Sequence, residues 1–166
     1  MNSLKAFIAT CLLASLFEGG CASDPQTREQ LRHTRSVSIN NNVDFSGEGM
    51  DGDNHSQPIQ RIFVAEFIRQ VNRTGIFPEP ITVVRTSLQS WREEVGEMKY
   101  DAQFKLNIRP GQKEGAWIME AVLESRFGAV IWRSAKPVPG DVSGPNLSSI
   151  NLACTELVRD LKRARD

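Results

Sequence analysis

Residues 100–124 read YDAQFKLNIRPGQKEGAWIMEAVLE, and the alternation within them decides the fold. From Tyr100 to Arg109, Ala102, Phe104, Leu106 and Ile108 fall on one side, with Asp101, Gln103, Lys105 and Asn107 on the other. Successive side chains of a strand point to opposite faces, so this is a half-buried antiparallel strand with one face on a core. Pro110-Gly-Gln-Lys-Glu-Gly115 has the composition of a turn. Ala116 to Glu124 returns with Trp117, Met119, Ala121 and Leu123 on one side and Ile118, Glu120, Val122 and Glu124 on the other. Arg126-Phe-Gly128 then turns the chain into a third strand, 129–133, and the three form a meander.

Towards the N-terminus, Ser87 to Met98 places Leu88, Trp91 and Val95 at helical spacing, with Ser90 and Glu93 as a capping box. The β-branched run Ile81 to Arg85 reads as a buried strand. From Pro58 to Thr74 the period is 3.6, with Ile59, Ile62, Phe63, Phe67 and Val71 on one stripe, Ser56 as N-cap and Gly75 as the stop. Before it, Arg35 to Phe45 alternates through Val37, Ile39, Asn41 and Val43 as a strand, and residues 46–56 form a Gly/Asp-rich loop. Beyond the meander, 137–145 is a Pro/Gly loop, and a helix from Asn146 aligns Leu147, Ile150, Cys154, Leu157 and Leu161. These elements predict a single α/β (α+β) domain over 35–166. Its mixed sheet has about five strands, with helices packed on it.

The 166 residues carry 20 Lys+Arg against 20 Asp+Glu, and this zero net charge excludes the basic surface of a nucleic-acid binder. Three cysteines, Cys11, Cys21 and Cys154, cannot be a disulfide framework. Lys5 followed by an apolar run from Ala6 to Phe17 is too short to span a bilayer and reads as a signal peptide over 1–20. Gly19-Gly20-Cys21 resembles the lipobox of bacterial lipoproteins, departing from it at Glu18, where that family carries an aliphatic residue. The resemblance implies lipidation (palmitate among the acyl chains) at Cys21, and Ala22 in place of Asp implies the periplasmic face of the outer membrane. Cleavage after Ala22, giving a soluble periplasmic protein, is the alternative. Residues 21–34 are expected to be a lipid-anchored polar tether, reaching at most about 45 Å from the membrane over residues 22–34.

Some phrases carry a wider resemblance: Arg73-Thr-Gly-Ile-Phe77, Tyr100-Asp-Ala-Gln-Phe104 and Gly128-Ala-Val-Ile-Trp132. With the element order, they resemble the small α/β domain shared by the TolB amino-terminal domain, the curli secretion lipoprotein CsgG, the penicillin-binding-protein activator LpoB and the exopolysaccharide lipoprotein PelC. The likeness covers about 35–163. It implies a non-enzymatic accessory or assembly factor of an envelope system serving secretion, exopolysaccharide export or cell-wall synthesis. The partners it implies are an envelope protein or copies of the chain itself. No membrane-spanning hairpins of the curli-channel type are present, so a pore made by this chain alone is not expected.

Residues 47–52 spell G-x-G-x-x-G, but the following helix starts several residues late, and Asp44, Glu48, Asp51 and Asp53 would repel a pyrophosphate. The same four acids make a candidate weak cation loop, although the EF-hand spacing fails at Ser56 and Ile62. A periplasmic module capturing a cation or small ligand through 44–55 is therefore the alternative function. His33 and His55 lie in expected tether and loop, and no nucleophile, metal-ligand or paired-carboxylate motif is present, so no catalytic residue, metal or cofactor is expected. Cys154, Trp91, Trp117 and Trp132 read as core, and Glu93 and Glu94 as a solvated helix face.

Overall fold

A computed structural model of the chain describes residues 24–40, 56–84, 100–113 and 115–166. The expected signal, Cys21, the acidic loop 44–55 and the helix 87–98 with Trp91 lie outside these residues. So do Arg85 and the far end of the first strand, with Asn41 and Val43.

The meander anchors the sheet. Strands β3 (Ala102–Pro110), β4 (Ala116–Ser125) and β5 (Val130–Asp141) pair antiparallel in chain order. On β3's other side lies β1 (Val37–Asn40), parallel to it, with β2 (Thr82–Val84) parallel to β1. A two-residue strand, β6 (Gly144–Pro145), completes the order β2-β1-β3-β4-β5-β6. The result is the expected single mixed α/β domain, with a sixth strand too short to leave a periodic trace. Met119, Ala121 and Leu123 are buried, and β3 alternates from Ala102 and Phe104 to exposed Lys105, as the sequence requires.

Two nineteen-residue helices, α2 (Ser56–Thr74) and α3 (Leu147–Arg165), pack on each other and on the sheet. Asn146 caps α3, its side chain accepting the Ser149 N–H at 2.9 Å. Ile150, Cys154, Leu157 and Leu161 are buried as the stripe predicts, but Leu147, the first residue of the helix, is 65% exposed. In α2 the buried stripe is Gln60, Phe63, Val64, Phe67 and Val71, which turns Ile62 outward. Gln60 is drawn inward because its Nε2–H donates to the Leu106 carbonyl at 2.9 Å.

Phe104 is the centre of the core. Its ring meets Phe67, Phe77 and Trp132 edge-on, at centroid distances of 5.0, 6.1 and 6.4 Å. Trp132 and Cys154 are thus core residues, as expected.

Two expectations need correction. Residues 25–33, expected within the tether, form helix α1 (Pro25–His33), with Asp24 as N-cap and Pro25 at its first position. The helix shows no apolar period because it buries one residue, Leu31, and is held by polar contacts: Arg32 donates to the Arg165 and Asp166 carbonyls at 3.1 and 2.6 Å. The loop expected at 137–145 is also largely strand, since β5 runs on to Asp141. Even-numbered amides of β5 face β4, as the Gly140 N–H donating to the Gly115 carbonyl shows. Pro137 and Pro139 therefore lie on the outer edge, where no ladder donor is missed.

Candidate functional site

Two grooves open at opposite ends of the domain. The first, about 510 Å³, lies between α1 and the β4–β5 turn and is lined by Glu29, His33, Asp101, Arg126, Phe127 and Ile131 among others. Asp101 is the phrase residue of Tyr100-Asp-Ala, and its role here is structural. Its Oδ2 accepts the Arg35 and Ser36 N–H groups at 2.9 and 3.0 Å, which seats β1 beside β3. Those backbone amides hold its carboxyl below the usual carboxylate range. His33 stands in the same groove, 3.8 Å from Glu29, with both side chains more than three-quarters exposed. Nothing in this pair orients the imidazole as a general base requires.

One large apolar side chain stands exposed on the rim of the first groove. Phe127 is 83% exposed at the tip of the turn, with the Arg126 guanidinium stacked 4.8 Å from its ring centroid. Gly128 completes the turn at φ +81°, a left-handed conformation that a side chain would strain. The Ser125 hydroxyl fixes the tip by accepting the N–H groups of Phe127 and Ala129 at 3.3 and 3.1 Å.

The second groove, about 390 Å³, lies where β5 turns into β6 beneath the start of α2. Ile59, Pro139 and Pro145 form its walls, Gly140 and Gly144 its floor, and Asp141 its polar edge. The floor must be glycine: a Cβ on Gly140 would strike Trp117 Cδ1 at 2.7 Å, and one on Gly144 would run into Ile59. Trp117 clamps the same turn, donating Nε1–H to the Asp141 carbonyl at 2.8 Å, while Asp141 Oδ1 accepts the Ser143 N–H at 2.7 Å. Val142 and Leu147, each next in sequence to a lining residue, are 90% and 65% exposed.

Between the grooves, the sheet face away from the helices is a neutralised charge lattice. Lys105 meets Glu124 at 2.7 Å and Arg133 meets Glu120 at 2.6 Å, both diagonally across neighbouring strands. On the helix face, besides the Gln60 bond to Leu106, Asp160 accepts from Ser134 at 2.9 Å and pairs with Lys136 at 2.6 Å.

Cys154, read from the sequence as a core residue, lies away from both grooves. Cys154 is fully buried, and burial, with the nearby Glu66 carboxylate, pushes its thiol up to about 12. Among the described residues there is no cluster of three or more His, Cys, Asp or Glu that could hold a metal ion. Asp44, Glu48, Asp51 and Asp53 lie outside those residues. No described helix is long and apolar enough to cross a membrane. Sequence reasoning missed both grooves. Their only signals were Phe127 in a turn and the Pro-Gly-Asp-Val-Ser-Gly-Pro run at 139–145.

No family model matches the sequence, and no curated protein is significantly similar to it. Among solved structures, the chain is similar to the PelC dodecamer from Paraburkholderia phytofirmans: 12% identity, 80% of this chain and 90% of that chain covered, TM-score 0.50. A single-substitution variant of that dodecamer aligns with 12% identity over 77% of this chain and 89% of that chain, at a TM-score of 0.46. The first likeness shows a shared fold.

Proposed function

We propose that the chain is a lipid-anchored envelope protein, held at Cys21 on the periplasmic face of the outer membrane. It works without catalysis by assembling with copies of itself, as an accessory of polysaccharide export. The observation that carries this reading is the fold shared with PelC over four-fifths of the chain, in a protein whose solved form is a dodecamer. Supporting it are the small-small-Cys step at 19–21 and the exposed apolar side chains Phe127 and Val142 beyond the two ends of β5.

Helix α1 changes what such an anchor would do. With residues 25–33 docked on the domain, only three residues, 22–24, separate Cys21 from the fold. At about 3.3–3.6 Å each they span roughly 10 Å, so the domain would rest close to the bilayer rather than on a long leash.

The test has two arms. Fractionation of cells expressing the full chain should place it in the outer membrane, and Cys21→Ser should release it into the soluble periplasm. Sedimentation of the purified full chain in detergent should give a discrete oligomer. A wild-type chain that fractionates as soluble overturns the anchor, and a monomer at every concentration overturns the assembly.

A further inference from the structure

The proposed self-assembly does not by itself say which surfaces meet. Phe127 and Val142 are the most exposed large apolar side chains of the described residues, at 83% and 90%. They stand at the two ends of β5, whose twelve residues at about 3.3 Å each set them roughly 40 Å apart. One end is a projection and the other a recess. At the first, Arg126 stacks on Phe127 and the Ser125 hydroxyl holds the turn, so the tip is prebuilt. At the second, the glycine-floored groove between Ile59, Pro139 and Pro145 opens beside Val142 and Leu147, with Asp141 at its edge.

We infer that the Arg126–Phe127 tip of one copy seats in the Asp141–Val142 groove of the next. Shape and charge both choose this occupant. The recess has room for a phenyl ring, Ile59, Pro139 and Pro145 give it apolar wall beside the polar Ser143 and Asn146, and the guanidinium that travels with the ring meets the Asp141 carboxylate. Such a pair is partly desolvated by the ring and rim side chains around it, where an Arg–carboxylate contact gains strength and geometry. A two-fold dimer could make this contact only reciprocally, with the β5 strands of the two copies side by side and antiparallel, against the proline-bearing outer edge. Made with two different neighbours, tip in groove is a heterologous contact: each copy uses one end and offers the other, and repetition builds a ring when the rotation closes. Pro137 and Pro139 on the outer edge of β5 deny the neighbour a strand to extend, so the contact is made by the strand's ends rather than along its side.

This inference rests on the self-assembly reading, and the experiment separates the two. The full chain, extracted in detergent, is followed by sedimentation over a range of concentrations as wild type and as Arg126→Glu, Asp141→Arg, the double charge swap, Phe127→Ser and Val142→Glu. Each single variant should weaken association by about tenfold or more, and the double swap should restore it. Phe127 and Val142 are solvent-exposed, so their variants keep the test open if Asp141→Arg disturbs the turn. A wild type that assembles together with single variants that assemble equally well overturns the interface and leaves self-assembly standing. Single variants that dissociate with no rescue by the swap overturn the charge pairing. A monomeric wild type removes both.

Discussion

Asp101 and Ser36 bind each other through three hydrogen bonds across 65 positions of chain. The Ser36 N–H donates to Asp101 Oδ2 at 3.0 Å, and the Asp101 N–H donates to the Ser36 carbonyl and hydroxyl at 3.1 and 3.2 Å. The junction fastens the short parallel strand β1 to the start of the meander, and its carboxyl is held below its ordinary value of 3.8 chiefly by the Ser36 and Arg35 amides. A carboxyl lowered on folding stabilises the fold above its unfolded value, and that contribution is lost as pH falls through the folded one. Asp101→Asn should therefore lower Tm at neutral pH and flatten the decline of Tm below about pH 4. Thermal melts of both proteins across pH 2–7 check this, with parallel acid limbs as the contrary result.

Phe104 touches three aromatic rings and is 1% exposed, so Phe104→Ala should open a cavity at the middle of the core. The expected cost is about 3–5 kcal/mol, read as a lower urea midpoint at nearly constant m-value.

The Arg32 guanidinium joins α1 to the Arg165 and Asp166 carbonyls. Arg32→Ala should cost about 1–2 kcal/mol, concentrated locally. Hydrogen exchange would show it: amides of 28–33 lose protection while those of β3 and β4 keep theirs. Uniform loss would mean that α1 unfolds only with the whole domain.

Cys154, with its thiol pushed up to about 12, should resist alkylation in the native state at mildly alkaline pH and react promptly in urea. Mass-spectrometric mapping of its peptide reads this directly. Native labelling at an ordinary thiol rate would place Cys154 outside the core.

Legibility followed the physics of each element. Strand β3 and helix α3 were plain because each buries a continuous face, and a buried face writes its period into the chain. Helix α1 left no such trace: it buries only Leu31 and is fastened by the polar contacts of Arg32, which no periodicity records. The second half of β5 was hidden by Pro137 and Pro139, residues that argue against a strand unless its edge is free, and edges are a property of the assembled sheet. The rotation of α2 turned on Gln60, whose bond to the Leu106 carbonyl links positions 46 residues apart. The grooves were invisible for the same reason. The first joins α1 to a turn about a hundred residues away, and the second joins the start of α2 to the β5–β6 turn.

The fastening of α1 to the end of α3 also decides how the domain would carry load. A pull entering at residue 24 runs along the backbone through α1 into β1, which begins at Val37, and Arg32 shares it with a nineteen-residue helix that lies against β5 and α2. The Arg32 tie thus adds a packed helix interface to a load that the four-residue β1 would otherwise meet alone.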